Sequence, residues 1–596
     1  MQLLRTIALL LLAAVLGGCG TVHNSGNSLS LSASATGIKS ITFNWLAVSG
    51  ATHYKLFVNP DGVSGFTQVG SDLTTTSTVV SIPVHLTDWV NARYLVEAYD
   101  SSGGVIATSS SISITPLMLD SIGYIKSSNT ETLDHFGFSV AVSGDGNTMA
   151  VSAPGEDSNA TGINGDQTNN SAIDSGAVYL FVRSGQTWVQ QAYIKASNTD
   201  SGDAFGTSVA LSSDGNSLAV GAVGEDSSAT GINGVQSDNS ASNAGAVYLF
   251  SRLGTVWSQQ SYIKASNTDS GDAFGDSVAL SGDGNTLAVG AKGEGSNATG
   301  INGIETDNSL SNAGAVYLFT RSSTGWSQQA YIKASNTDSG DAFGTSVTLD
   351  SYGNTLGVGA PGESSAATGI NSNGQSDNSA PAAGAVYLFT RSAGNWSQQA
   401  YAKASNTDSG DAFGTSVALS GDGTALAVGA VGEDSASTGI DGDQLNNNAF
   451  NSGATYLFSW NGTDWSQQAY IKATNTDPSD NFGVSVALSS DGNVLAVGAN
   501  LEDSNAQGMG GNPLDNSATD AGAVYLYART AGSWSPRSYA KAPNTDALDN
   551  FGGSVSLSSD GNTLVAGAVG EDSSATGING DMTNNTNASS GAAYLY

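Results

Sequence analysis

The chain has 596 residues, with 76 Gly, 52 Asp or Glu against 18 Lys or Arg, four His, one Cys and a net charge of −34. Glycine at nearly double its average usage of about 7% excludes a helical bundle, the acidity argues against nucleic acid as a partner, and a lone Cys excludes a disulfide framework or thiolate metal cluster. With 39% hydrophobic residues a core is affordable, and the composition is that of a Gly-rich, acidic, all-β protein.

Residues 1–18 read as an export signal. Arg5 supplies a positive start, and Ile7 to Leu16 form an apolar run too short for a spanning helix of about 20 residues. The end, Leu16-Gly17-Gly18-Cys19, resembles the lipobox of bacterial lipoproteins. That resemblance implies cleavage before Cys19, acylation of Cys19, and a place in the cell envelope held by lipid alone. Gly20 after the Cys, where Asp would favour the inner membrane, implies the outer membrane or cell surface. An ordinary secretory signal is the competing reading.

Residues 19–27 are a Gly, Ser, Asn and Thr linker carrying the lipidated Cys. Residues 28–116 contain short β-type runs (ITFNWL, HYKLFV, STVVSIPV, ARYLVEAY, SSISI) separated by turn clusters such as Asn59-Pro60-Asp61-Gly62. Strands of this length and spacing predict a small β-sandwich. With Trp45 in the second run and Leu86 leading into the run that ends Val96-Glu97-Ala98, it resembles a fibronectin type III domain. Ala92 stands where that family usually has a Tyr. The resemblance implies a spacer or a weak binding module.

Residues 117–596 are internally repetitive. Phe-Gly recurs at Phe136, Phe205, Phe274, Phe343, Phe413, Phe482 and Phe551, at spacings of 69 or 70. Each unit predicts four strands. In the copy starting at Phe205 these are SVALS, SLAVGA after the tight Asp214-Gly215-Asn216 turn, AVYLF after a long polar loop, and WSQQSYIKAS. The seventh copy stops after its third strand at Tyr596, and a matching fourth strand, Gly123 to Asn129, precedes the first Phe-Gly. The expectation is a seven-bladed β-propeller of four-stranded blades, closed by its N-terminal strand. Phe-Gly-x-Ser-Val followed by Val-Gly-Ala (Gly359-Ala360-Pro361 in one copy) resembles FG-GAP repeats, the propellers of integrin α subunits. This resemblance implies adhesion or protein binding. Trp188, Trp257, Trp326, Trp396, Trp465 and Trp534 share one position of the fourth strand, with Leu119 in the N-terminal copy, and are expected to pack between blades.

The repeats hold 47 of the acidic and 14 of the basic residues. Strand alternation puts the loop between strands two and three and the loop between blades on one face. Those loops carry Asp200, Asp203, Glu225, Asp226, Asp269, Asp272, Glu294, Asp338, Asp341, Glu363, Asp408, Asp411 and Glu433, which make up the candidate binding face. Arg183, Arg252, Arg321, Arg391 and Arg529 point to the other face. A Lys ends each fourth strand, five residues before a loop acid, and a structural Lys–carboxylate pair per blade is expected.

Integrin-type repeats place a calcium loop between strands one and two; here that connection is too short. The long loop offers a weaker pattern, Asp157-x-Asn159-x-Thr161-Gly162 with Asp166, and Asp572, Ser574, Thr576 and Asp581 in the seventh copy. Calcium is the ion that such oxygen ligands suit; ordinary turn chemistry accounts for the same residues. No catalytic set stands out, since the repeats hold one His, His135, and an active site usually breaks sevenfold symmetry. The sequence reads as a non-enzymatic, lipid-anchored binding or adhesion scaffold for a protein or other macromolecule. Carbohydrate binding or cleavage, or a structural envelope role, are the alternatives.

Overall fold

The computed structural model describes residues 29–82 and 91–596. Cys19, with the rest of the export signal, and Leu86 lie outside them. Among the described residues eight strands come first: β1 (Leu31–Gly37), β2 (Ser40–Trp45), β3 (His53–Asn59), β4 (Thr67–Leu73), β5 (Ser77–Ser81), β6 (Arg93–Tyr99), β7 (Val105–Thr108) and β8 (Ile112–Ser113). They form one sheet of order β1-β2-β5 and a second of order β4-β3-β6-β7 with β8 on β6. Inward residues alternate with outward ones along β6, so Tyr94, Val96 and Ala98 enter the core. There the Phe43 ring lies 4.7 Å from Tyr94 and the Trp45 ring 5.6 Å from Tyr54. β1 and β4 escape a sequence reading because their Ser, Thr, Ala and Gly carry little apolar signal; pairing with β2 and β3 makes them strands.

Two 3-10 turns, Thr115–Leu117 and Leu119–Ser121, then lead into β9 (Gly123–Ile125). Leu119 is thus not a strand residue as expected. Pro116 opens the turned segment, and the Leu119 side chain packs against Gly508.

Seven four-stranded antiparallel sheets follow, six of them with their strands in chain order. The first is built from Val140–Val142, Thr148–Ala153, Ala177–Ser184 and Thr187–Ile194. The seventh joins Val555–Leu557, Leu564–Ala568 and Ala592–Leu595 to β9, with Tyr594 opposite Tyr124. The N-terminal strand therefore closes the ring as expected.

Local chemistry explains each blade. Asp214 Oδ1 accepts from Ser212 Oγ (2.6 Å) and Asn216 N (3.0 Å), and Gly215 takes φ +63°, which fixes the first hairpin. Strands two and three are buried almost throughout. Between blades, Gly221 lies so close to Gly275 O of the next blade that a Cβ there would collide with it. The Phe-Gly dipeptide and the Val-Gly-Ala tripeptide are the two sides of that approach. The Phe274 ring meets Tyr317 and Phe319 edge-on at 5.3 and 6.3 Å.

The tryptophans pack between blades. Trp257 Nε1 donates to Gln191 Oε1 of the preceding blade (2.8 Å), and the Arg252 guanidinium lies 5.3 Å over its ring. At the axis, the tips of the first hairpins join through backbone hydrogen bonds. Ser213 N donates to Gly282 O, Gly282 N to Ser351 O, and so on round to Ser559 N on Gly144 O.

Candidate binding face

The long loop and the blade-to-blade loop do share a face, because they bond to each other. Asn239 Nδ2 donates to Asp200 Oδ2 (3.0 Å), and the pairs Asn308–Asp269, Asn378–Asp338, Asn447–Asp408, Asn516–Asp477 and Asn585–Asp546 repeat it at 2.8–3.0 Å. Asn170 and Glu131 make the first copy. The result is a rim of seven carboxylate–amide pairs, each exposed or half-exposed. Asp200, Asp269, Asp338 and Asp408 are therefore at the surface as expected.

The remaining acids sort differently. Glu225, Glu294, Glu363 and Glu433 are at most 1% exposed, so they are not part of a binding face. Each turns inward to a buried lysine: Glu225 Oε2 accepts from Lys264 Nζ (2.7 Å), while Oε1 accepts from Tyr262 OH (2.7 Å) and from Asn198 Nδ2 of the preceding inter-blade loop (3.0 Å). Asn198 Oδ1 in turn accepts from Tyr248 OH (2.6 Å). The same arrangement recurs in all seven blades, with Lys126 serving Glu571 in the last. The lysine's partner is thus the Glu of its own blade and not the acid five residues on. Two desolvated opposite charges need this full set of bonds, and the set stitches each blade to the one before.

Asp203, Asp272, Asp341 and Asp411 are also interior, correcting their assignment to the surface. Each caps its own loop, as where Asp203 Oδ2 accepts from Asp200 N (2.9 Å). Burial, with the nearby Glu carboxylate adding to it, pushes these four carboxyls up to about 7 against that capping bond. Asp134, Asp480 and Asp549 reach about 8 for the same reasons. Asp226 is half-buried and accepts from Asn243 N (2.7 Å).

The long-loop pattern read as a calcium site has another use. In the first blade, Ile163 bridges Ile194, Asn164 N donates to Tyr193 O (2.7 Å) and Asn164 Oδ1 accepts from Tyr193 N (3.0 Å), so Thr161 to Asn164 run over the open edge of the fourth strand. Asp157 accepts from Asp174 N (2.8 Å), and Asp166 from Thr168 N (2.9 Å). Asn159 and Thr161 are exposed. In the seventh blade Asp572 accepts from Ser589 N and Asp581 from Thr583 N, while Ser574 bonds Asn584; Thr576 lies in the segment that runs over β9. The carboxylates are spent on separate turns, and among the described residues no three His, Cys, Asp or Glu side chains converge. These residues do not fit a calcium ion.

The arginines do end on the hairpin face, but Arg252 sits beside Asp145 and Asp214, so that face is not simply basic. The loop face has one feature that sequence reading missed. Around the axis, the residues after Phe-Gly line a vestibule of about 320 Å3. Serines such as Ser208 and Ser277 ring it, and the position after Phe-Gly varies: Thr in three blades, Val484 and Gly553 in the last two, Phe138, 46% exposed, in the first, and Asp276, which pairs with Lys292 at 2.8 Å, in the third. The signal was available, since Phe138 is the one aromatic, and Asp276 and Lys292 the charged residues, at positions where the other copies carry small, polar or aliphatic side chains.

A family model described as FG-GAP repeat matches residues 123–181, 188–250, 257–319, 326–389, 396–458 and 465–527. No curated protein matches the chain significantly. Among solved structures, the crystal structure of RRP9 WD40 repeats matches at 10% identity and TM-score 0.41, over 80% of this chain and 96% of that one. The crystal structure of the tricorn protease matches at 11% identity and TM-score 0.26, over 76% of this chain and 37% of that one. Each family match runs from the fourth strand of one blade into the third strand of the next, so each contains an Asn–Glu bond that joins two blades, Asn198 to Glu225 in the second match. With six such matches over more than half of its length, the chain belongs to the FG-GAP repeat family.

Proposed function

We propose that the protein is a lipid-anchored scaffold of the cell envelope, held through Cys19, whose propeller binds a protein or other macromolecule on its loop face. The observation carrying this reading is the rim of carboxylate–amide pairs from Asn170–Glu131 to Asn585–Asp546. Each pair is cross-braced between two loops, so the surface is ordered before a partner arrives, which lowers the ordering cost of binding. No step of this reading needs catalysis. The fibronectin-like resemblance of residues 28–116 suits a module between lipid and platform.

The test uses residues 20–596 on an array of glycans and immobilised basic proteins. The combined variant Asp200→Asn, Asp269→Asn, Asp408→Asn, Asp546→Asn should abolish a salt-sensitive signal. The matching variant of hairpin acids, Asp214→Asn, Asp283→Asn, Asp422→Asn, Asp491→Asn, should keep it. Equal loss in both would sink the loop face as platform. The anchor is tested by Cys19→Ala, which should move the protein out of the membrane fraction.

A second reading, carbohydrate binding, is favoured by the vestibule. An exposed aromatic ring beside hydroxyls and a charged pair is chemistry that suits a sugar. Phe138→Ala would remove glycan signals and leave protein signals if the vestibule is the site.

A further inference from the structure

We propose that the N-terminal β domain is the clasp of the ring: the turn between β1 and β2, at Ile38 and Lys39, completes the seventh blade and holds β9 in it. The seventh blade is the weak one. Its fourth strand, β9, has three residues, where the other blades have seven or eight. In the other six, a hairpin joins strands three and four, and the first backbone N–H of that hairpin region closes onto the turn of the first hairpin. Arg252 N donates to Asn216 O and Arg529 N to Asn493 O, both at 2.8 Å. The seventh blade has no such hairpin, because its fourth strand comes from before the first blade.

Lys39 supplies what that hairpin supplies elsewhere. Its Nζ donates to Asn562 O, the carbonyl equivalent to Asn216 O, and to Thr563 Oγ1 (3.0 Å). Thr563 corresponds to Thr148 of the first blade and Thr286 of the third, and each of those accepts from an arginine of the following blade, Arg252 or Arg391. One lysine from another domain thus donates to the hairpin-turn carbonyl and to the threonine that a guanidinium reaches in the first and third blades, while Arg183, the arginine of the blade that follows the seventh, turns its Nε to Gly185 O. It is 6% exposed and held at φ +56°, with its own N–H on Ser121 O (2.7 Å) just ahead of β9.

Ile38 closes the contact from beside it. It is 4% exposed within the cluster of Ile125, Phe136, Val565 and Leu595. It sits so close to Gly123 that a Cβ there would lie 2.8 Å from its Cδ1. Gly37, next to it, reaches Gln186 of the first blade. The turn therefore touches both sides of the seam where the ring closes.

Hydrogen–deuterium exchange on residues 20–596 tests the clasp, comparing wild type with Lys39→Met and with Ile38→Ser. Peptides covering 123–126, 560–568 and 592–596 should exchange at least tenfold faster in both variants, with those of the fourth blade (346–402) unchanged. Lys55→Met, on β3 of the same domain but away from the seam, should leave all of them unchanged. Unaltered exchange in the seventh blade for Lys39→Met would overturn the proposal. So would an equal rise in the fourth blade, or the same pattern from Lys55→Met.

Discussion

Seven lysines and seven glutamates are withdrawn from water in this protein, and each pair is worth keeping only because its hydrogen bonds are complete. Replacing a whole buried pair with apolar side chains is often near neutral, whereas removing one partner strands a charge. Lys333→Met should therefore cost about 3–5 kcal/mol, read as a lower urea midpoint, and adding Glu294→Leu should recover part of it. The nearby buried aspartates predict a pH dependence. Asp341 titrates near 7 in the folded state against an ordinary value of 3.8. The folded protein keeps a proton there that the unfolded chain has released, so this contribution is whole below about pH 4 and lost as pH rises through about 7. Asp341→Asn, neutral and still able to accept from Asp338 N, should melt like wild type at pH 4 and higher at pH 8. A melt difference of the opposite sign would contradict the burial argument. A Lys–carboxylate pair in each blade was expected from the sequence, but that Glu225 is the partner and that Asp203 is buried was not legible from either residue taken singly, because an acid in a polar Gly-rich loop looks solvated. The available signal was numerical: seven Tyr-x-Lys strand ends matched seven loop glutamates.

At the level of elements, hairpins and inner strands are plain in the sequence, since Asp-Gly-Asn turns and Val/Ala/Leu runs state their own geometry. The long loops are not. Their Asp, Asn, Thr and Gly suggest ligands, yet in each blade the segment equivalent to Thr161–Asn164 shields the outermost strand, an edge that would otherwise present free backbone groups. Asn233 shows why the residue types are needed. It holds φ +56°, which costs most side chains about 1–2 kcal/mol, and its Oδ1 accepts from Tyr262 N at 3.0 Å. Asn233→Ala loses both advantages and should destabilise by about 1–3 kcal/mol, with faster amide exchange at Tyr262. Since the same loops hold their carboxylates apart, excess EDTA should leave the melting midpoint unchanged. A fall of several degrees would show a structural cation bound by some other arrangement.

Over the whole molecule, closure replaces ends. The axial collar of backbone hydrogen bonds and the glycine contacts between blades repeat around the ring, so a load on one seam is carried by the others. An open array of repeats responds differently, because stability there is a sum over nearest neighbours and terminal lesions unravel locally. The glycine contact separates the two cases. A Cβ at Gly290 would collide with Gly344 O of the next blade, and one at Gly498 with Gly552 O, at the third and sixth seams. The first blade carries Ser152 at the same position, so a seam can yield to one side chain, and the cost is that of overpacking, about 1–3 kcal/mol. Gly290→Ala and Gly498→Ala should lower the melting midpoint by equal amounts and keep a single calorimetric transition. Two transitions, or a larger loss at the seam nearer the chain's end, would mean that the blades unfold as a line and that β9 does not hold the circle shut.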